Sequence, residues 1–166
     1  MMNILTSKWT MLLLLLIMLA LIVLYLIGKK SVHHEITVDA SPDKVWSILS
    51  DIKNYPEWNQ VITYKEGELA EGSKLILHFT QDADTAYDVP VTVKAMIPQK
   101  LLNQAGGISG VMTYNHRYEL EPDNASTKVT IHEDYRGIYV PFWNPAPVEA
   151  AYGRLNQALK ERAEMQ

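Results

Sequence analysis

Two ionisable side chains of this chain fall where ionisable groups are costly. From Val111 to Glu121, Met112, Tyr114, His116, Tyr118 and Leu120 alternate with Thr113, Asn115, Arg117 and Glu119. That is the period of a half-buried strand, so His116 stands on a mostly apolar face. Between Thr127 and Tyr135 the same alternation puts Glu133 beside Val129, Ile131 and Tyr135. A carboxylate on such a face must be paired or protonated. Alternation sends Arg117 to the opposite face, which leaves a tyrosine hydroxyl or His116 as the expected partner of Glu133. With nearby tyrosines, His116 and Glu133 could move protons on an oxygenated substrate, and they are the candidate catalytic pair. Used only as hydrogen-bonding groups, they could hold the polar end of a ligand. A satisfied core histidine is the plain structural alternative for His116.

Other constellations carry less. His33 and His34 are neighbours in a strand and point to opposite faces, so they cannot chelate one metal together. Asp82 and Asp84 lack the glycine and distal glutamate of a calcium loop. Gly106-Gly107-Ile108-Ser109-Gly110 has no Lys-Ser/Thr after it and reads as a hairpin loop rather than a phosphate cradle. Asn124-Ala125-Ser126 matches a glycosylation acceptor but is explained as a turn. The chain has no cysteine, which excludes disulfides and thiolate metal sites. No nucleophile triad, metal-ligand set or nucleotide motif is visible, and no cofactor is expected.

The elements that must position these residues begin with Ser41-Pro-Asp-Lys-Val-Trp-Ser-Ile-Leu-Ser-Asp-Ile-Lys-Asn-Tyr-Pro-Glu-Trp-Asn59. Ser41 is a good N-cap, Pro42 suits the first helical position, and Asp43 favours the positive end of the helix dipole. Val45, Trp46, Ile48, Leu49 and Ile52 form one apolar stripe at helical spacing. Tyr55 to Trp58 then turns the chain. Before this helix, Val32, His34, Ile36 and Val38 alternate as a first strand. After it come strands at Val61 to Glu68, Lys74 to Thr80, Tyr87 to Met96, Leu101 to Ala105, Val111 to Glu121 and Thr127 to Tyr135. Pro90 argues for an edge position or a bulge. Gly137 to Pro147 reads as a rigid aromatic crossing loop, and helical spacing runs from Val148 to the C-terminus through Ala151, Tyr152, Leu155 and Leu159.

The order of a strand ending at Asp39-Ala40, then Ser-Pro-x-x-Val-Trp, then Asp51, Tyr55 and Trp58-Asn59 resembles the START-like, or Bet v 1-like (SRPBCC), superfamily. The resemblance is to its polyketide cyclase/dehydrase and lipid-transport branch and runs from about Val32 onward. It implies an α+β helix-grip fold: a curved antiparallel sheet of six to seven strands around the C-terminal helix, enclosing a hydrophobic cavity. The periodicity alone supports the sheet and helix; the resemblance supplies the cavity. Its wall would comprise Trp58, Leu77, Phe79, Val91, Tyr114, His116, Tyr118, Ile131, Glu133, Tyr135, Trp143, Tyr152 and Leu155. The Gly137 to Trp143 loop and the Tyr55 to Trp58 turn would gate it.

The N-terminal segment is of another kind. Met11 to Ile27 is an unbroken apolar run of 17 residues, which Trp9, Thr10 and Gly28 extend to the ~20 helical residues that span a bilayer. Trp9 and Tyr25 stand near its ends, with Lys8 and Lys29-Lys30 at the polar boundaries. The run is long for a signal peptide and no Ala-x-Ala site follows it. Residues 1–30 therefore read as a single-pass transmembrane anchor and 31–166 as the ligand-binding domain. Basic residues on both flanks give almost no orientation bias, and the reading leans to a cytoplasmic domain. The net charge of −4 becomes −7 beyond residue 30, with 12 basic against 19 acidic side chains, which speaks against a nucleic-acid partner. Oligomeric state has no signal in the sequence.

Three functions compete: a membrane-anchored carrier for a lipid, isoprenoid or polyketide-like molecule, a cyclase/dehydratase-type enzyme, and a ligand-free interaction domain at the membrane.

Overall fold

A computed structural model describes residues 8–165 of the chain. Residues 1–7 of the segment assigned to the anchor therefore lie outside the described residues. Helix α1, Lys8–Ile27, has 20 residues, none of them buried, and its apolar side chains face outward all round. At 1.5 Å per residue it is about 30 Å long, and it is long and apolar enough to span a membrane.

The described residues beyond α1 build one seven-stranded antiparallel sheet and two α-helices. The strands are β1 (Lys29–Val38), β2 (Ile62–Gly67), β3 (Lys74–Thr80), β4 (Ala86–Ile97), β5 (Leu101–Ile108), β6 (Met112–Asp123) and β7 (Ser126–Arg136). Their order across the sheet is β1-β7-β6-β5-β4-β3-β2, so β1 returns beside the last strand and every other neighbour is a hairpin partner. Helix α2, Pro42–Ser50, starts as its capping residues require: the Lys44 amide donates to Ser41 Oγ at 3.3 Å, with Pro42 in the first turn. Val45 and Leu49 bury its apolar stripe. A 3-10 turn over Ile52–Glu57 follows, held by Tyr55 Oη donating to the Leu49 carbonyl at 2.7 Å. Asn59 then accepts from the amides of Val61 and Ile62, each at 2.9 Å, and launches β2.

Helix α3, Ala146–Glu164, lies along β1. Its close approach depends on Gly153, where an added Cβ would stand 3.3 Å from His34 Nε2. One turn later Asn156 Nδ2 donates to the His34 carbonyl at 3.1 Å, and Lys160 Nζ reaches the Thr37 carbonyl at 2.7 Å. Val148, Ala151, Tyr152, Leu155, Leu159 and Ala163 are its buried face. Together α2 and α3 cover the half of the sheet where Val38, Leu102, Tyr118, Leu120, Val129 and Ile131 form a packed core.

Five local expectations change. Strand β1 begins at Lys29, not Val32, so Gly28 alone separates α1 from the sheet. Strand β5 continues through Gly106 and Gly107 to Ile108, because those glycines pair with Tyr114 and Thr113 of β6 instead of forming a loop. A bulge between Val93 and Ala95 turns Met96 toward the core, against the simple alternation. Pro90 sits in an interior strand, but just past the last β4–β5 pair, Val91 with Gly106, so its missing N–H costs no bond to β5. The aromatic crossing loop contains a 3-10 turn, Val140–Phe142.

Candidate functional site

Beyond the packed core the inner face of the sheet parts from α3 and leaves a cavity of about 360 Å³, within the ~300–1,000 Å³ typical of small-molecule pockets. The alternation that buries Tyr118 and Leu120 further along β6 presents Tyr114 and His116 to this space. On β7, Ile131 is core while Glu133 and Tyr135 face the cavity. Cross-strand pairing sets His116 opposite Glu133 and Tyr114 opposite Tyr135. Tyr152 enters from the first half of α3, its ring against Phe79 and His116, with centroids 6.1 and 5.1 Å away.

These groups form one hydrogen-bonded chain. Tyr135 and Tyr152 both donate their hydroxyl protons to Glu133 Oε2, and His116 Nδ1 lies 3.2 Å from Tyr152 Oη. Because the single proton of Tyr152 goes to the carboxylate, His116 Nδ1 must be the donor in its own bond. In neutral His116 the bare nitrogen is then Nε2, which is buried and has no hydrogen-bond partner among the described residues. His116 Nδ1 is 3.9 Å from Glu133 Oε2, so the histidine meets the carboxylate mainly through the tyrosine. Burial, then the Glu133 carboxylate, push the Tyr135 and Tyr152 hydroxyls well above the usual tyrosine range, and both remain protonated donors. Tyr114 is raised for the same two reasons, in the same order, and donates to the Pro90 carbonyl at 2.9 Å. Its reach across β5 depends on Gly106, where a Cβ would fall 2.2 Å from Tyr114 Oη. Arg117 faces the other side and binds Asp134 at 2.9 Å.

Of the expected wall, Leu77, Phe79, Val91, Tyr114, His116, Glu133, Tyr135, Trp143 and Tyr152 line the cavity. Tyr118, Ile131 and Leu155 do not: they share the inner face but belong to the packed half under α2 and α3. Trp58 is also outside, its ring 5.0 Å from Tyr55 in the turn that precedes β2. The Gly137 to Trp143 loop does reach the cavity, through Tyr139 and Trp143, the latter 4.4 Å from the Tyr135 ring, whereas the Tyr55 to Trp58 turn does not line it.

A family model described as polyketide cyclase/dehydrase and lipid transport matches residues 29–164. The chain belongs to this family. Its match begins at the first residue of β1 and omits α1. No curated protein matches the sequence. Among solved structures, the chain is similar to the ZhuI aromatase/cyclase from Streptomyces sp. R1128, at 18% identity and TM-score 0.63, covering 82% of this chain and 94% of that one. It is similar to a START superfamily protein from Mycobacterium smegmatis at 23% identity and TM-score 0.61, covering 81% and 97%. A truncated norcoclaurine synthase from Thalictrum flavum matches at 18% identity and TM-score 0.61, covering 83% and 95%. At these identities the likeness is one of fold, the curved sheet gripping a C-terminal helix.

Within this family fold the cavity takes further residues that the sequence reading left out. Tyr87 and Val89 continue the alternation of Val91, and Met112 that of Tyr114, so extending each strand's inner face would have found them. Tyr139 was marked by the aromatic loop itself. Val148 shares the apolar stripe of Tyr152, one turn earlier on α3, and was legible in the same way; Ile62, Gln104, Gly107 and Ile108 carry no such signal.

Proposed function

We propose that this chain is a single-pass membrane-anchored module that binds and passes on a hydrophobic small molecule of the lipid, isoprenoid or polyketide-like class. In this reading the anchor ends with α1 and the binding domain begins at Lys29 in β1, two residues before the boundary between 30 and 31 expected from the sequence. The observation that carries it is a cavity lined mainly by apolar side chains, with one buried polar cluster, Glu133, Tyr135, Tyr152 and His116. Transfer of a ligand's apolar body into such a wall is favourable by roughly 25 cal/mol per Å² removed from water. A ligand hydroxyl that displaces the groups covering His116 Nε2 would donate to it, giving that buried acceptor a partner that it lacks among the described residues. Family membership supports hydrophobic-ligand binding or polyketide-cyclase-type chemistry, and α1 supports the membrane placement.

The second reading, a cyclase/dehydratase-type enzyme, is favoured by the same Nε2 atom. A bare imidazole nitrogen, backed by Tyr152 and Glu133, can accept a proton from a bound substrate.

One experiment separates them. Small molecules that co-purify with the detergent-extracted full-length protein are identified by mass spectrometry, then binding and product formation are measured for wild type, His116→Gln and Glu133→Gln. A carrier returns its ligand chemically unchanged and loses about 1–3 kcal/mol of affinity in the variants. Turnover that falls roughly 10²- to 10⁴-fold while binding persists makes it an enzyme. Variants without effect on any bound compound leave the ligand-free interaction domain.

A further inference from the structure

The closed end of the cavity holds Glu133, Tyr152 and His116, all buried, whereas Ile108, Tyr139 and Tyr87 of its wall are 68%, 51% and 46% exposed. The mouth therefore opens among Ile108, Tyr139 and Tyr87. All three stand at the end of the sheet where β1 begins, since β5 finishes at Ile108, β4 starts at Ala86 and β7 finishes at Arg136, opposite Lys29.

Helix α1 joins the sheet at this same end. The Gly137 amide donates to the Gly28 carbonyl at 3.0 Å, and an added Cβ on Gly28 would lie 2.0 Å from the Gly137 carbonyl oxygen. The next two residues bind the β5–β6 tip: Ile138 N–H to the Gly110 carbonyl at 3.1 Å, and Tyr139 N–H to the Val111 carbonyl at 3.0 Å. Lys30 Nζ donates to the carbonyls of Pro141 and Trp143. The end of α1, the β5–β6 tip and the 137–143 crossing are thus one hydrogen-bonded patch.

That patch presents Ile108, Val111, Tyr139 and Phe142 to the outside, Phe142 at 71% exposure. Lys29 and Arg136, paired across β1 and β7, are exposed beside it. The acidic residues at this end are Asp134 on β7, paired with Arg117 and His132, Asp88 on β4, paired with Lys65, Asp82 and Asp84 in the β3–β4 connection, and Glu149 in the first turn of α3. Clustered apolar and aromatic tips flanked by cations are what an interfacial membrane contact requires.

Resting on the reading of α1 as an anchor, we infer that the cavity mouth is seated on the bilayer that α1 enters. Ile108, Val111, Tyr139 and Phe142 dip into the headgroup and upper acyl region, and Lys29 and Arg136 meet lipid phosphates. The ligand then exchanges between that bilayer and the cavity without crossing bulk water.

The absence of cysteine from the chain makes the test direct. Single-cysteine variants of the full-length protein, Ile108→Cys and Phe142→Cys at the mouth, Asn124→Cys in the β6–β7 turn at the opposite end, and Leu16→Cys in α1, are labelled with a small fluorophore. They are reconstituted into mixed phosphatidylcholine and phosphatidylglycerol vesicles with and without brominated acyl chains. Brominated lipid should quench the label at Leu16, Ile108 and Phe142 and leave Asn124 bright. Quenching at Leu16 alone, or at Leu16 and Asn124 but not at the mouth, overturns the seating of the mouth with the anchor intact. An unquenched label at Leu16 overturns the anchor itself. All four positions are exposed or in turns, and far-ultraviolet circular dichroism checks that each variant retains the wild-type fold.

Discussion

Replacing Tyr152 with phenylalanine tests the buried polar cluster most directly. The ring stays, so its packing on Phe79 and His116 is preserved, and only one oxygen is removed. That oxygen donates to Glu133 Oε2 and lies 3.2 Å from His116 Nδ1. Glu133 is 3% exposed, so water cannot replace the lost donor without opening the site. A hydrogen bond to a charged group contributes about 1.5–3 kcal/mol, and the histidine's lost acceptor adds about 0.5–1.5 kcal/mol. Tyr152→Phe should therefore destabilise the fold by about 2–4 kcal/mol, with a fall in Tm of ~2–4 °C for each kcal/mol. The assay is denaturant unfolding of the full-length protein in detergent micelles, followed by tryptophan fluorescence, with Tyr139→Phe as an exposed control expected to stay within ~0.5 kcal/mol of wild type. Tyr135→Phe supplies the other half of a double-mutant cycle. Since both hydroxyls serve the same carboxylate oxygen, the double variant should lose more than the sum of the singles. A loss in Tyr152→Phe no larger than the control's would refute the argument that Glu133 depends on this donor.

Two further outcomes follow from the same geometry. Burial first, with the Glu133 carboxylate also contributing, holds Tyr118, Tyr135 and Tyr152 above their unfolded value of about 10. The native state then keeps protons that the unfolded state releases, so this stability is complete below about pH 10 and declines as the pH rises beyond it. Tyrosinate absorbance from these three should appear together with unfolding; ionisation while the tryptophan signal stays native would contradict it. Trp143→Ala removes the ring that packs on Tyr135 at the cavity, and should change ligand on- and off-rates more than it changes the unfolding midpoint. Exchange of a bound fluorescent lipid at the wild-type rate would leave the loop a purely structural element.

Much of the fold was legible because its signals are local. Ser41-Pro42-Asp43 specify a helix start by satisfying orphan amides, and strict alternation identified the inner faces of β6 and β7 together with His116 and Glu133. What alternation cannot supply is position along the strand. Tyr114 and Tyr118 are equivalent by period, yet one faces open space and the other the packed core, and the difference is set by where α3 leaves the sheet. The bulge at Val93/Ala95 was invisible because an inserted residue changes the phase without changing composition. Gly106 and Gly107 were read as loop because glycine has no side chain to alternate; their place in β5 follows from Tyr114 lying across Gly106. The cost of a bare carboxylate called for a tyrosine hydroxyl or His116 as the partner of Glu133, and the tyrosines fill that place; that Tyr135 and Tyr152 share one oxygen depends on where α3 lies against β7.

Gly28 limits how far this domain can travel. A flexible linker of n residues lets its cargo domain sweep a radius of about 5–6 Å × √n, whereas here a single glycine joins α1 to β1 and is itself clamped by Gly137. With α1 in a bilayer, such a domain has almost no reach. Anchored in this way it could not shuttle across an aqueous gap to a second membrane, as a domain on a long tether could. If it carries a ligand there, its working range would be lateral diffusion in its own leaflet, and any acceptor from another compartment would have to come to it.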